Sequence, residues 1–320
     1  MRKILVIGSA GQIGSELTLK LRDLYGNNNV IAGVITSNPP KKLSETGPWE
    51  KVDVLDRQEL VAAVRKFKVD TIINMAAILS ATGEENHMLA WDVNMNGLIN
   101  VLEVAREFKM KQVVVPSSIA VFGPSAPVNN TPQETVLKPS TMYGITKVAG
   151  ELLGDYYVEK YGLDVRGLRY PGIISHVTLP GGGATDYAVA IYYEAVKNGR
   201  YTCFVNENTR LPMMYMPDCL KSTIDLMQAD FSRLRRHCDY NVGAMSFSAG
   251  ELAASIKKYI PEFEITYEPD SRQEIADSWP DSVDDSAARE DWGWKPGYDL
   301  DAMTRDMLEA VREKHQVGLI

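Results

Sequence analysis

A short apolar run, Lys3 to Ile7, is followed at once by Gly8-Ser9-Ala10-Gly11-Gln12-Ile13-Gly14. Apolar residues then recur at helical spacing, at Ile13, Leu17, Leu21 and Leu24. Few folds place a glycine cluster between a buried strand and an amphipathic helix. Gly8 permits a tight turn, Gly11 lets the backbone approach a pyrophosphate, and Gly14 lets the helix pack close to a sheet. The helix start offers free N–H groups and a partial positive charge to phosphates. Gln12 and Ile13 sit inside this GxxGxxG turn and count with the glycines as candidate dinucleotide contacts. The four apolar residues before Gly8 are too few for the core of a secretory leader and read as a first strand.

Further along, strand-like runs at Val30 to Ile35, Thr71 to Met75, Gln112 to Pro116 and Val165 to Leu168 alternate with helical patterns. Those patterns cover Leu60 to Phe67, Ala90 to Glu107 and Ser140 to Lys160, and Ser37 to Trp49 reads as a loop. Such alternation predicts an α/β fold, a Rossmann-type doubly wound parallel sheet. The expected division is a dinucleotide-binding domain over 1–174 and a smaller C-terminal substrate lobe over 175–320. A segment near 213–242 is an open candidate for returning to the main sheet. In the lobe, Pro180-Gly181-Gly182-Gly183 breaks the chain, and helices are expected at Asp186 to Asn198, Ala249 to Tyr259 and Asp301 to Lys314.

The balance of 34 Lys plus Arg against 42 Asp plus Glu gives a formal charge of −8, with no basic block. That argues against nucleic acid as a partner. No apolar run approaches the roughly 18 residues of a membrane span. Three scattered cysteines, Cys203, Cys219 and Cys238, fit reduced thiols and a cytoplasmic protein better than a disulfide framework or a structural zinc site. No metal is expected.

Oxidising a secondary alcohol requires a base for the hydroxyl proton. A tyrosinate serves if its pKa falls from about 10. An ammonium four residues on lies on the same helix face, so YxxxK delivers both groups together. Three such pairs occur: Tyr143/Lys147, Tyr156/Lys160 and Tyr193/Lys197. Context selects Tyr143 and Lys147, near the start of a helix that follows a strand ending in Ser117-Ser118. Both ends belong to the sheet edge where ligands bind. Ser118 is the candidate for holding the substrate oxygen, with Ser117 its rival, since alternation sends only one of them to the site. The other two pairs read as surface pairs.

Asp53-Val54 follows a loop and could meet an adenine amino group. In Asn74-Met75-Ala76-Ala77, the small Ala76 and Ala77 leave room for a ribose. One expected feature is missing. An acid about 20 residues beyond the glycine turn usually binds the adenosine ribose, and Gly33 is read as standing at that position. NAD is the expected cofactor, with NADP or relaxed preference the open alternative.

Taken together, GSAGQIG, NMAA, Ser118 and YGITK resemble the extended short-chain dehydrogenase/reductases, the group that includes UDP-galactose 4-epimerase. A narrower resemblance, to the short-chain type of L-threonine 3-dehydrogenase, is carried by PSSIAVFG at 116–123, RYPG at 169–172, GGGATDYA at 181–188, MMYM at 213–216 and ADSWP at 276–280. It implies zinc-independent oxidation of L-threonine by NAD to 2-amino-3-oxobutyrate and NADH, in a homodimer. Tyr143 is then the base, Lys147 binds the nicotinamide ribose and Ser118 the substrate oxygen. It also implies Ile173 near the nicotinamide, and Ser80, Thr185 and Asp186 near the amino acid. The residues agree: the glycine run and Thr185 offer donors to a carboxylate, and Asp186 a partner for the ammonium. The run also reads as a hinge, Met213 to Met216 as part of a small site, and Trp279 as either a lid or a buried anchor. Ala184 stands where a Thr is common. Two readings remain beside this one: a nucleotide-sugar epimerase or dehydratase, and a non-enzymatic dinucleotide sensor.

Overall fold

Strand β1 (Ile4–Ile7) is buried along its whole length, which is why it reads as an unbroken apolar run. A computed structural model describes residues 2–179 and 181–320; Met1, and Pro180 of the expected break, lie outside the described residues. After β1 come β2 (Val30–Val34), β3 (Trp49–Lys51), β4 (Thr71–Asn74), β5 (Gln112–Val114), β6 (Ser117–Ser118) and β7 (Val165–Arg166). A six-stranded parallel sheet runs in the order β3-β2-β1-β4-β5-β7. The reversal of order beside β1 opens a crevice at the carboxyl ends of the strands, where ligands of such sheets bind.

Helices α1 (Gln12–Tyr25), α2 (Lys41–Thr46) and α3 (Arg57–Phe67) connect the first strands. After β4 come α4 (Ser80–Glu85), α5 (His87–Trp91) and α6 (Gly97–Glu107), and α7 (Met142–Tyr161) follows β6. Strands β8 (Leu168–Tyr170) and β9 (Gly172–Ile174) precede α8 (Tyr187–Asn198), β10 (Arg200–Cys203), β11 (Arg210–Tyr215) and α9 (Met216–Gln228). The chain closes with β12 (Tyr240–Asn241), β13 (Met245–Ser248), α10 (Ala249–Lys257), β14 (Glu264–Tyr267), α11 (Arg272–Asp277), α12 (Ser286–Trp292) and α13 (Leu300–Gln316). Only Gly167 separates β7 from β8, and β8 pairs in parallel with β6 and β12. The segment at Tyr240 therefore lies against the strands that continue the main sheet. β11 joins β9 and β13 in a separate sheet.

Three expectations change. The segment 37–49 is not a plain loop, since it contains α2 and the start of β3. Its organiser is Arg22, 2% exposed, whose guanidinium donates to the carbonyls of Val30, Leu43 and Pro48 and to Thr46 Oγ1. A charge in a helix sequence reads as solvated; here four acceptors compensate its burial. The helix expected at Ala90 to Glu107 carries a π-helical turn at Asp92–Asn96. Within it, Asn94 bonds both the N–H and the carbonyl of Ile78, at 2.8 and 3.1 Å, and Thr146 at 3.1 Å. Finally, Tyr193 is not a surface residue: it is buried, and its hydroxyl donates to the His176 carbonyl at 2.7 Å.

One apolar core joins the two halves. It runs from Ile119–Phe122 and Tyr143 through Tyr187, Ile191 and Tyr192 of α8 to Met303, Met307 and Val311 of α13. The strap from Ser175 to Leu179 crosses between them. Ser175 donates to Glu16 at 2.5 Å, and Thr178 shares a hydrogen bond with Ser15 at 3.0 Å. From α13, Lys314 donates to the His176 carbonyl, to the Val177 carbonyl at 3.3 Å and to Tyr193 Oη at 3.3 Å. Among the described residues, no helix is long and apolar enough to cross a membrane.

Candidate active site

The crevice holds a cavity of about 410 Å³ lined by Gly8, Gly11, Gln12, Ile13 and Gly14 at one end. Gly8 has φ +80°, and a Cβ there would lie 2.8 Å from the Ala76 nitrogen. A Cβ on Gly14 would lie 2.3 Å from the Gly8 carbonyl oxygen, so the turn closes only around glycine. Gly11 caps α1 without a side-chain acceptor, which leaves the first N–H groups of the helix to an incoming anion. Gln12 adds a buried amide nitrogen with no partner among the described residues. Glycine backbone, open helix start and orphan donor together fit a dinucleotide pyrophosphate.

At the other end, Thr141 accepts the Gly144 N–H at 3.1 Å and so starts α7 at Met142. Tyr143 thus lies in the first turn of α7, against the cavity, with Lys147 one turn on. The Lys147 ammonium donates to the Pro116 carbonyl at 2.8 Å and sits 5.4 Å from the centre of the Tyr143 ring. Ser118 hydrogen-bonds the Tyr143 hydroxyl. Its neighbour Ser117 turns the other way and donates to Glu151 at 2.5 Å. Glu151, one turn beyond Lys147, is clasped by Arg169 through two bonds of 2.8 Å. A small polar cavity lined by Asn94, Ser117, Thr146, Lys147 and Glu151 lies behind the site.

Burial pushes the Tyr143 phenol up to about 12, opposed by the bond from Ser118. Burial pulls Lys147 down to about 8, opposed by the charge of Glu151. The lowered phenol expected from the motif rests on the ammonium together with a positive nicotinamide, and without the latter burial dominates; a bound oxidised nicotinamide would act in the opposite direction.

Between these ends, Ser80, Ile173, Thr185, Asp186 and Trp279 all line the cavity. The half-buried Asp186 carboxylate accepts the Gly183 N–H at 3.0 Å, and its partial burial raises its pKa. The glycine run is no free hinge: the Gly182 carbonyl accepts the Ala81 N–H at 3.1 Å, and a Cβ on Gly182 would strike Thr82. Trp279 is only 8% exposed, an anchor that also forms cavity wall.

Some expected residues stand apart. Asp53 turns its carboxylate to the Leu55 N–H at 2.9 Å, and Val54 is buried against Gly97; neither lines the cavity. Ala76 borders the small rear cavity. Met213, Met214 and Met216 are core residues outside the site. A Cβ on Gly33 would press on β1, 3.1 Å from the Val6 carbonyl oxygen, whereas Val34 ends β2 and packs in a cluster with Ala10 of the glycine turn. Sequence reasoning missed Thr82 and Thr178, both in the cavity wall. Thr82 belongs to α4, whose SATGEE has no apolar periodicity, and Thr178 to an irregular strap.

A glycine turn with an open helix start, facing a buried Ser–Tyr–Lys group, defines a Rossmann-type oxidoreductase that uses a nicotinamide dinucleotide. The chain belongs to the NAD dependent epimerase/dehydratase family, whose model matches residues 4–243. An uncharacterized epimerase/dehydratase of Staphylococcus haemolyticus is 50% identical over 317 residues, 99% of each chain. The structure of L-threonine dehydrogenase from Clostridium difficile has a TM-score of 0.95 and 54% identity, covering 98% of both chains. A monomeric L-threonine 3-dehydrogenase from a metagenome has a TM-score of 0.93 and 48% identity, covering 97% of this chain and 99% of its own. Among the described residues, no group of three or more His, Cys, Asp or Glu is placed to hold a metal ion.

Proposed function

We propose that the chain is an L-threonine 3-dehydrogenase, oxidising the C3 hydroxyl of L-threonine with NAD to give 2-amino-3-oxobutyrate and NADH. The observation that carries this reading is the Ser118–Tyr143–Lys147 group opening onto a small site walled by Ser80, Thr185 and Asp186. The 54% identity to an L-threonine dehydrogenase over nearly the whole chain supports it.

In this mechanism Ser118 holds the substrate oxygen and Tyr143 Oη takes its proton. Lys147, fixed by the Pro116 carbonyl, orients the nicotinamide ribose and adds positive charge beside the phenol. Tyr143, raised by burial, needs added stabilisation of its phenolate before it can take that proton. An oxidised nicotinamide held between the glycine turn and Lys147 would supply positive charge beside the phenol and the capacity to take up hydride. Ser80 and Thr185 donate to the substrate carboxylate, and Asp186 faces its ammonium. In this reading Ile173, which lines the cavity, faces the nicotinamide, while Asp53, Val54 and Ala76, which do not line it, meet the cofactor only where it extends beyond that cavity.

In this reading the dinucleotide-binding domain covers 1–174 with the segment at Tyr240 returned to it, and the substrate lobe takes the rest of 175–320, as the pairing of β12 with β8 supports. A homodimer is supported by exposed apolar side chains on adjoining helices: Met88, Leu89 and Trp91 on α5, Ile99 on α6, and Ile145, Leu152 and Tyr156 on α7. Cytoplasmic residence is supported by Cys203, Cys219 and Cys238, all buried free thiols.

Absorbance at 340 nm with L-threonine and NAD tests the reading. Threonine-dependent NADH formation without turnover of UDP-sugars is expected; epimerisation of a UDP-sugar instead would overturn it.

A further inference from the structure

Held to the glycine turn at the carboxyl end of the sheet is the end of β2. The Gly8 and Ser9 N–H groups both donate to the Gly33 carbonyl at 3.0 Å. Val34 ends the strand there, 1% exposed, beside Ala10 and Leu43. In folds of this kind the adenosine ribose lies where this strand stops, and a carboxylate there bonds the 2′-hydroxyl and repels a 2′-phosphate. From Gly33 to Lys42 the chain carries no Asp or Glu. What it offers instead is Ile35, 65% exposed, then Thr36, Ser37 and two exposed lysines, Lys41 and Lys42. Thr36 Oγ1 accepts the Asn38 N–H at 2.9 Å and donates to the Asn38 carbonyl at 3.0 Å, which fixes the turn. Neither lysine makes an ion pair among the described residues. Lys42 lies near enough to α1 to act electrostatically on Glu16, one turn from the helix start that lines the cavity. The buried Arg22 holds α2, and with it both lysines, in this place.

We propose that the segment from Val34 to Lys42 is a 2′-phosphate subsite, so that the chain binds NADP within tenfold of NAD, or more tightly. The inference rests on the dinucleotide reading of the cavity and concerns only the far end of that ligand. The 2′-phosphate adds nearly two negative charges and three acceptors. Val34 gives the NAD ribose no acceptor in exchange, and the lysines give the phosphate its countercharge.

Equilibrium titration of the full chain with NAD and with NADP by calorimetry, at 50 and 300 mM salt, tests this without any turnover. Dissociation constants within tenfold are expected, with NADP binding weakened by salt several-fold more than NAD binding. K41A/K42A, on exposed side chains, should weaken NADP at least fivefold and leave NAD within twofold. NADP binding more than tenfold weaker than NAD overturns the subsite, as does an equal effect of K41A/K42A on both ligands. If neither dinucleotide binds, the cavity reading falls and the subsite with it.

Discussion

Tyr143 and Lys147 are each shifted away from the state in which they are usually drawn, and both shifts have measurable consequences. The phenol, raised by burial, keeps its proton at neutral pH until positive charge arrives. Alcohol oxidation should therefore climb with pH, kcat/KM rising at least fivefold between pH 7 and 9; a flat profile would exclude Tyr143 as the proton acceptor. Tyr143→Phe should lower kcat at least a thousandfold while NAD affinity, read by calorimetry, changes less than threefold. Lys147 carries a stability signature of its own. Its ordinary 10.5 falls to about 8 in the folded chain, so between those values the unfolded chain binds a proton that the folded chain has released. Stability then rises with pH across that window. Urea unfolding should show wild type gaining about 1–3 kcal/mol on Lys147→Met from pH 8 to 10. A constant gap between the two proteins would mean that Lys147 is not depressed.

The elements explain which residues the sequence made visible. Tyr143 and Lys147 were legible because a strand end and a helix start both carried chemistry, and the sheet topology brings those ends to one edge. Ser118 was only half legible: alternation said that one serine of the pair faces the site, and the choice depends on Glu151, 34 residues downstream, capturing Ser117. Gly33 and Val34 differ by one residue, less than a pattern can resolve, and the pairing register with β1 separates them. Least legible was α2, because a six-residue helix tied down by a distant buried cation has no local signature. Arg22→Leu should cost at least about 3 kcal/mol in chemical denaturation, since several carbonyls lose their donor. A loss under about 1 kcal/mol would show that the segment holds itself.

At the scale of the molecule, the exposed apolar face of α5 to α7 and the cavity share α7, which carries Tyr143 inward and Leu152 outward. Leu152→Asp should convert a dimer to a monomer in analytical ultracentrifugation without unfolding it; a wild-type monomer at micromolar concentration would retire the dimer reading. At the other extreme of the chain, the ammonium of Lys314 grips the backbone at His176 and Val177, a few residues before Thr178 and Leu179 form cavity wall. The last turns of α13 are thereby tied to the cavity wall, so a substitution at Lys314, remote from the site in sequence, reaches it through the backbone next to Thr178.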